Sequence, residues 1–281
     1  DGVVFDILEH NQSDHRGKTY GSGADNKRKI STCFRILVET TRRTNRKIYK
    51  RKAQNILPKD LKFNIIARIH ADCLGTLQRL VTSVLVQTHR NLTLHLAVDE
   101  STEEVNKACK FISENHWRTM PPWLAQPHKN VTVEFWPNET NERLYSIRNT
   151  CRVLDTLEEE SIIGVIDTDD QLCEARCLEW VNNSYDLGAK AVWTSNIWEP
   201  YSVNLCSDDL DDKQDVYKHR WVSSHFRTFL LSTYKKINKA NFKDDDGKWM
   251  KRCEDQTLML PIINKIHQEG GGTHHIDRPC Y

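Results

Sequence analysis

An α/β fold built on a mostly parallel, Rossmann-like sheet is predicted by three features of this 281-residue chain. Short apolar runs of strand character alternate with stretches whose apolar residues recur at helical spacing, the signature of βαβ units. One run, Ile162-Ile163-Gly164-Val165-Ile166, ends abruptly in Asp167-Thr168-Asp169-Asp170. The composition is 38% hydrophobic with 8 Trp, 8 Tyr and 8 Phe, enough apolar material for a sizeable core.

The elements follow in order. Residues 1–26 are polar, with Gly17, Gly21 and Gly23 close together, and read as an irregular arm. Residues 33–38 (CFRILV) have strand character, and Pro58 closes this leader. The first core strand is predicted over 63–70. A helix over 74–88 follows, with Leu77, Leu80, Val81, Val84 and Leu85 on one face. A strand over 92–99 and a helix over 102–115 come next. The link Met120-Pro121-Pro122-Trp123 leads to a strand over 131–135 and a helix over 142–157. The run 162–166 is the fourth core strand, followed by a helix over 174–187 and a strand over 191–195. Beyond residue 198 the alternation stops. An acidic loop (Asp208, Asp209, Asp211, Asp212, Asp215) precedes the segment 221–231 and a helix over 254–268. Gly270-Gly271-Gly272 reads as a flexible hinge before His274-His275.

Charge is unevenly spread. Residues 27–52 carry eleven Lys/Arg against the single acid Glu39, a net +10, so the rest of the chain is −9 against the overall +1. A basic arm on an acidic body suits contact with phosphates or an anionic surface, or a solvated positive face. No apolar run approaches the roughly 18 to 20 residues of a membrane span. The nine cysteines are odd in number and lack a CxxC pair, and Cys173/Cys177 have no second pair of zinc ligands, so they read as reduced thiols. That points to a cytoplasmic setting. Asn-x-Ser/Thr sequons at Asn11, Asn91, Asn130, Asn138 and Asn182 keep the secretory lumen as the alternative.

Carboxylates gathered where a buried strand emerges repel one another unless a cation neutralises them. Open α/β sheets bind ligands outside the carboxyl ends of their strands. Asp167, Asp169 and Asp170 therefore read as a divalent-metal site at the mouth of a nucleotide-binding sheet. The tripeptide alone proves nothing, since Asp-x-Asp recurs at Asp209/Asp211 and Asp244/Asp246.

Six motifs in order over residues 62–281 resemble the inverting, family-2-like glycosyltransferases of the GT-A fold. They are Ser83 to Asn91 (SVLVQTHRN), Val98-Asp99-Glu100-Ser101, Ser146-Ile147-Arg148-Asn149, Ile166 to Asp170, Cys253-Glu254-Asp255 and His275 to Tyr281 (HIDRPCY). Enzymes of this type build glycans in bacteria and in large DNA viruses. The first strand departs from the pattern, ending Arg68-Ile69-His70-Ala71 where a Pro-Thr-Tyr-Asn-like turn is usual.

The resemblance implies a basic extension over 1–60 and a glycosyltransferase domain over 61–281, with a nucleotide-sugar half (61–198) and an acceptor half (199–281). It implies Mn²⁺ or Mg²⁺ as cofactor, a UDP-sugar donor and a glycan acceptor. Asp169 would bind the metal directly and Asp167 the ribose or the metal, with Asp170 as an alternative ligand. Asp99 would accept from the uracil or ribose. Arg68, Arg148 and Asn149 would lie on the nucleotide side, and Asp255, with Glu254 beside it, would be the general base. His274 or His275 would complete the metal site, which would favour Mn²⁺, because imidazole suits it better than Mg²⁺. Trp221, His225, Phe226 and Arg227 would offer an acceptor platform. Two other classes compete. One is a nucleotidyltransferase of related layout, although only Gly75 follows the first strand where a Gly-rich phosphate loop belongs. The other is a non-catalytic module that binds glycan or nucleic acid.

Overall fold

The computed structural model describes residues 60–116, 130–140, 142–198, 202–204, 215–219, 221–223 and 225–281, with backbone alone at 198 and 202–204. The chain divides into two units, Asp1–Asn55 and Ile56–Tyr281. The first unit lies outside the described residues, and with it the basic segment and the strand expected over 33–38. The Pro–Trp link at 120–123 and the acids at 208–212 lie outside as well.

Strands β1 (Phe63–Ile69), β2 (Leu92–Val98), β3 (Val131–Trp136) and β4 (Ile162–Asp167) run parallel. They are joined through α1 (Leu74–Leu85), α2 (Glu103–Asn115) and α3 (Tyr145–Thr156). After β4 come α4 (Cys177–Asp186), β5 (Ala189–Trp198), β6 (Ser202–Asn204), β7 (Arg227–Leu230), α5 (Leu231–Lys235), α6 (Glu254–Gln268) and β8 (Gly272–Pro279). The strand order is β3-β2-β1-β4-β7-β5-β6, with β8 beside β5. β7 lies antiparallel between β4 and β5, while β8 runs parallel to β5.

The local reasons are visible in the side chains. The α1 residues expected on one face are all buried, but the helix stops at Leu85, and Gln87 just beyond it acts as a clamp. Its amide donates to the Ser83 and Glu174 carbonyls and accepts from the Leu178 N–H. α2 starts where Thr102 accepts the Val105 N–H, with Glu103 and Glu104 favourably placed in the first turn. α3 begins three residues later than its periodicity suggests. Asn138 folds the preceding loop, donating to the carbonyls of Asp99 (2.7 Å) and Glu142 (2.8 Å) and accepting from Thr140. Asn138 and Asn182 are buried, so those two sequons are not presented to solvent.

The expected hinge at the three glycines is instead a tight helix stop leading into a strand. Gly270 takes φ +68, and its N–H meets the His267 carbonyl while the Gly271 N–H meets that of Ile266. That pairing is a Schellman motif. β8 then pairs with β5 from Ala189↔Gly272 onward, which places His274 and His275 opposite Val192 and Trp193.

Core residues fall on both faces of the sheet. Phe63, Ile65, Ala67 and Ile69 face α1 and α4, whereas Ile66, Ile163, Val165 and Phe229 face α3 and α6. Gly164 is the tightest point. A Cβ there would lie 2.5 Å from Phe226 Cζ and 2.8 Å from Ile65 Cδ1. Gly164→Ala is therefore expected to destabilise the fold by about 1–3 kcal/mol through overpacking, read as a lower urea midpoint. An unchanged midpoint would show that Phe226 is not fixed there. Among the described residues no helix is long and apolar enough to cross a membrane.

Candidate active site

Arg68 and Asp167 are register partners on β1 and β4, and Val165, two residues before Asp167, is opposite Arg227 on β7. Strand alternation puts all three side chains on the α3–α6 face at the carboxyl ends of β1 and β4. Directly after β4 the chain turns, and the Asp170 N–H donates to the Asp167 carbonyl at 3.2 Å. A four-residue turn brings its first and last residues together. Asp170 is thus folded back beside Asp167, while Asp169 is exposed. The Arg79 guanidinium accompanies Asp169 only through the Asp169 backbone carbonyl, at 2.8 Å.

Two buried guanidiniums flank Asp167. Arg68, 2% exposed, is paired with Asp167 and lies 3.6 Å from Glu254. Arg227, 1% exposed, donates to Asp255 at 2.6 Å and to His225 Nδ1 at 3.0 Å. Burial works against the charge on Arg68, but Asp167, Glu254 and Asp255 outweigh it and keep the group firmly protonated. Glu254 also accepts from Ser146 at 3.4 Å, which joins the starts of α3 and α6. Tyr281 completes the brace. Its hydroxyl accepts the Asp167 N–H at 3.1 Å and is hydrogen-bonded to Asp170, while its ring stacks on His225 at 4.7 Å.

Asp167, Asp170 and His225 each offer a ligand atom, all within 4.8 Å of one another, the one such group among the described residues. Their electrostatics suit a cation. Burial alone would raise the Asp167 pKa, yet Arg68, Arg227 and His225 hold it at about 2. Asp170 is pushed up by burial and by repulsion from Asp167 and Asp169, against its hydrogen bond to Tyr281; a bound cation would relieve that strain. Burial and the charge of Arg227 lower the pKa of His225, favouring the neutral imidazole that a metal accepts. Two carboxylate oxygens and one imidazole nitrogen fit Mn²⁺ better than Mg²⁺.

A second polar cluster lies at the end of β2. Asp99 is fully buried, accepting from Arg143 Nε at 2.6 Å with His70 Nδ1 at 3.2 Å. Its Oδ1 has no hydrogen-bond partner among the described residues. Leu144 N–H, bonded to the Asp99 carbonyl at 3.1 Å, brings Arg143 over this carboxylate. Burial would raise the Asp99 pKa, but the hydrogen bonds from His70 and Arg143 prevail and depress it. A depressed carboxylate stabilises the fold above its unfolded pKa of about 3.9, and the contribution is lost as pH falls through the lower folded value. The stability gap between the parent and Asp99→Asn is therefore expected to be widest near neutrality and to shrink towards pH 3. A gap that stayed constant in urea titrations at both pH values would contradict the depressed pKa.

The structure thus brings Arg68, Asp167, Asp170, His225, Arg227, Glu254, Asp255 and Tyr281 together, with Asp99 in a neighbouring buried cluster. Other expected residues fall elsewhere. Asn149 is fully buried, donating to the Ala97 carbonyl at 2.8 Å and accepting from Arg152, so its amide ties α3 to β2 rather than facing a nucleotide. Arg148 is half-buried on α3. His274 contacts Ser184 of α4 at 2.8 Å. His275 contacts Ser195 at 3.2 Å and stacks against Trp193. Neither histidine joins the ligand group; His225 stands there instead. Phe226 is core, and Trp221 is half-buried against the core cluster on the other face of the sheet. Sequence reading passed over His70, Arg143 and the Tyr281 hydroxyl. The signal for Tyr281 is the last of the six motifs, His275 to Tyr281, to which the resemblance attaches no role for the hydroxyl.

No protein-family model and no curated protein matches the chain. Solved structures do. S. aureus TarS 1–349 in complex with UDP-GlcNAc aligns at 14% identity over 79% of this chain and 58% of that one, with a TM-score of 0.53. The same protein in complex with UDP aligns at 15% identity over 73% and 56%, with a TM-score of 0.50. This chain therefore spans less than two thirds of the TarS fragment. The likeness confirms the expected fold: an α/β protein of GT-A type, with a mostly parallel sheet flanked by helices.

Proposed function

We propose that the chain is a metal-dependent inverting glycosyltransferase that moves a sugar from a UDP-sugar to a glycan hydroxyl. The convergence of a cation-binding group, Asp167–Asp170–His225, with a carboxylate held by Arg227, Asp255, carries this reading. Perturbed, charge-paired groups gathered in this way mark functional sites. A bound Mn²⁺ would neutralise the diphosphate leaving group as a Lewis acid.

The chain's own residues perform the rest. Asp99 Oδ1 lacks a donor among the described residues, and uracil supplies one at N3–H where cytosine presents an acceptor; Arg143 and His70 hold the other oxygen, Oδ2. Arg68 holds Asp167 in its anionic form at the metal edge. Asp255 takes the acceptor hydroxyl's proton as the oxygen attacks the face opposite the diphosphate, and Glu254 is kept in place by Arg68 and Ser146. The basic extension is assigned to a phosphate-bearing or anionic surface, in the cytoplasm or, alternatively, the secretory lumen.

Neither competing class has this support. β1 runs through Ala71–Cys73 straight into α1 without a Gly-rich phosphate loop. A binding module has no need to hold four carboxylates against two buried guanidiniums. The test is UDP release from a panel of UDP-sugars with Mn²⁺, Mg²⁺ or EDTA. Release from one donor with Mn²⁺, abolished by EDTA, is expected. Silence across the panel together with no UDP binding would overturn the proposal.

A further inference from the structure

We propose that Arg227 is the positioning residue for the general base, fixing one oxygen of Asp255 so that the other receives the proton. The proposal rests on the glycosyltransferase reading above, in which Arg227 merely holds Asp255, and adds which carboxylate oxygen that contact leaves for the proton.

Arg227 is the first residue of β7, a four-residue strand antiparallel to both its neighbours, and is opposite Val165 on β4 and Trp193 on β5. Being held from both sides, its backbone has little freedom, and the side chain is 1% exposed. A guanidinium carries only donors, in a planar fork. One arm, Nη2, is committed to Asp255 Oδ1 at 2.6 Å, and the other, Nη1, to His225 Nδ1 at 3.0 Å. The ring's other nitrogen, Nε2, lies on the side of Asp255 Oδ2, at 3.7 Å. That gap exceeds a hydrogen bond. Oδ2 is consequently the oxygen of Asp255 left to accept a proton, and its direction follows from where Oδ1 is tied.

The neighbouring pair shows why a separate anchor is needed. Glu254 and Asp255 are consecutive at the start of α6, so helical geometry alone splays them. Glu254 is drawn to Arg68 on β1 and Asp255 to Arg227 on β7, strands on either side of β4. Two sheet-rooted guanidiniums thereby set the two acids separately. The same fork touches His225 of the cation group, so the base and the metal edge share one rigid part.

Lysine keeps the charge but cannot make both contacts. Arg227→Lys and Arg227→Met are each expected to lower kcat about 10- to 100-fold, as misplacement of a reacting group does, with donor KM within about twofold of the parent; rates are compared at saturating Mn²⁺, because the same fork touches His225. A double-mutant cycle separates aim from general damage. In an Asp255→Asn background the Arg227 substitution should cost nothing further, because Arg227 acts through Asp255. If Arg227→Met does not fold, Arg227→Lys decides. A kcat within twofold of the parent, or full additivity with Asp255→Asn, would overturn the proposal. A parent that releases UDP from no donor and binds none would instead sink the glycosyltransferase reading, so the two failures are distinguishable.

Discussion

Asp255→Asn is expected to slow sugar transfer by about 10²- to 10⁴-fold, the usual contribution of a positioned general base, while UDP and Mn²⁺ still bind. Asparagine keeps an oxygen for the Arg227 fork, so the start of α6 should remain seated. It has lost the anion that takes the acceptor's proton. Because Asp255 lies outside the cation group, donor affinity should change little. The measurement is transfer rate and donor KM, with UDP and Mn²⁺ affinities from calorimetry. A variant that transfers at the parent's rate would remove Asp255 from the mechanism.

The second large effect concerns Asp167 at the end of β4 and the two acids that follow it. Asp170→Asn and Asp167→Asn should each abolish Mn²⁺-dependent turnover, whereas Asp169→Asn should change it by less than about threefold, in the range of an exposed surface substitution. The contrast comes from the turn. The hydrogen bond from Asp170 N–H to the Asp167 carbonyl folds the first and fourth residues together and leaves the third outside. Asp167→Asn should also cost stability, because it leaves the buried Arg68 guanidinium short of one partner. Asp170→Asn is thus the cleaner variant, and equal losses at Asp169 and Asp170 would contradict the turn geometry.

These two sites show what the sequence made legible. The parallel strands β1 to β4 and helices α1 to α3 follow from apolar periodicity, because each buries one face against a wide sheet. The Asp167–Asp170 cluster stood out because carboxylates at the end of an apolar run are costly without a cation. Which carboxylate faces the cation depends on one turn hydrogen bond, and residue spacing does not encode that. β7 was missed because four residues, two of them Arg227 and Thr228, carry no periodic signal. β8 was hidden behind three glycines that read as a hinge and proved to be a helix cap followed by a strand. His225 and Arg227 reach the site only because β7 inserts between β4 and β5, a pairing distant in sequence. A late histidine was expected in the ligand group; His274 and His275 lie outside it, and His225, which lies in it, was read as part of an acceptor platform.

The most direct measurement is a crystal soaked with Mn²⁺ and UDP, with data collected at the manganese absorption edge. The structure predicts one anomalous peak bounded by Asp167, Asp170 and His225, with the uracil edge at Asp99. A peak held by Asp169 with His274 or His275, or UDP bound with no metal at the Asp167–Asp170 turn, would contradict it.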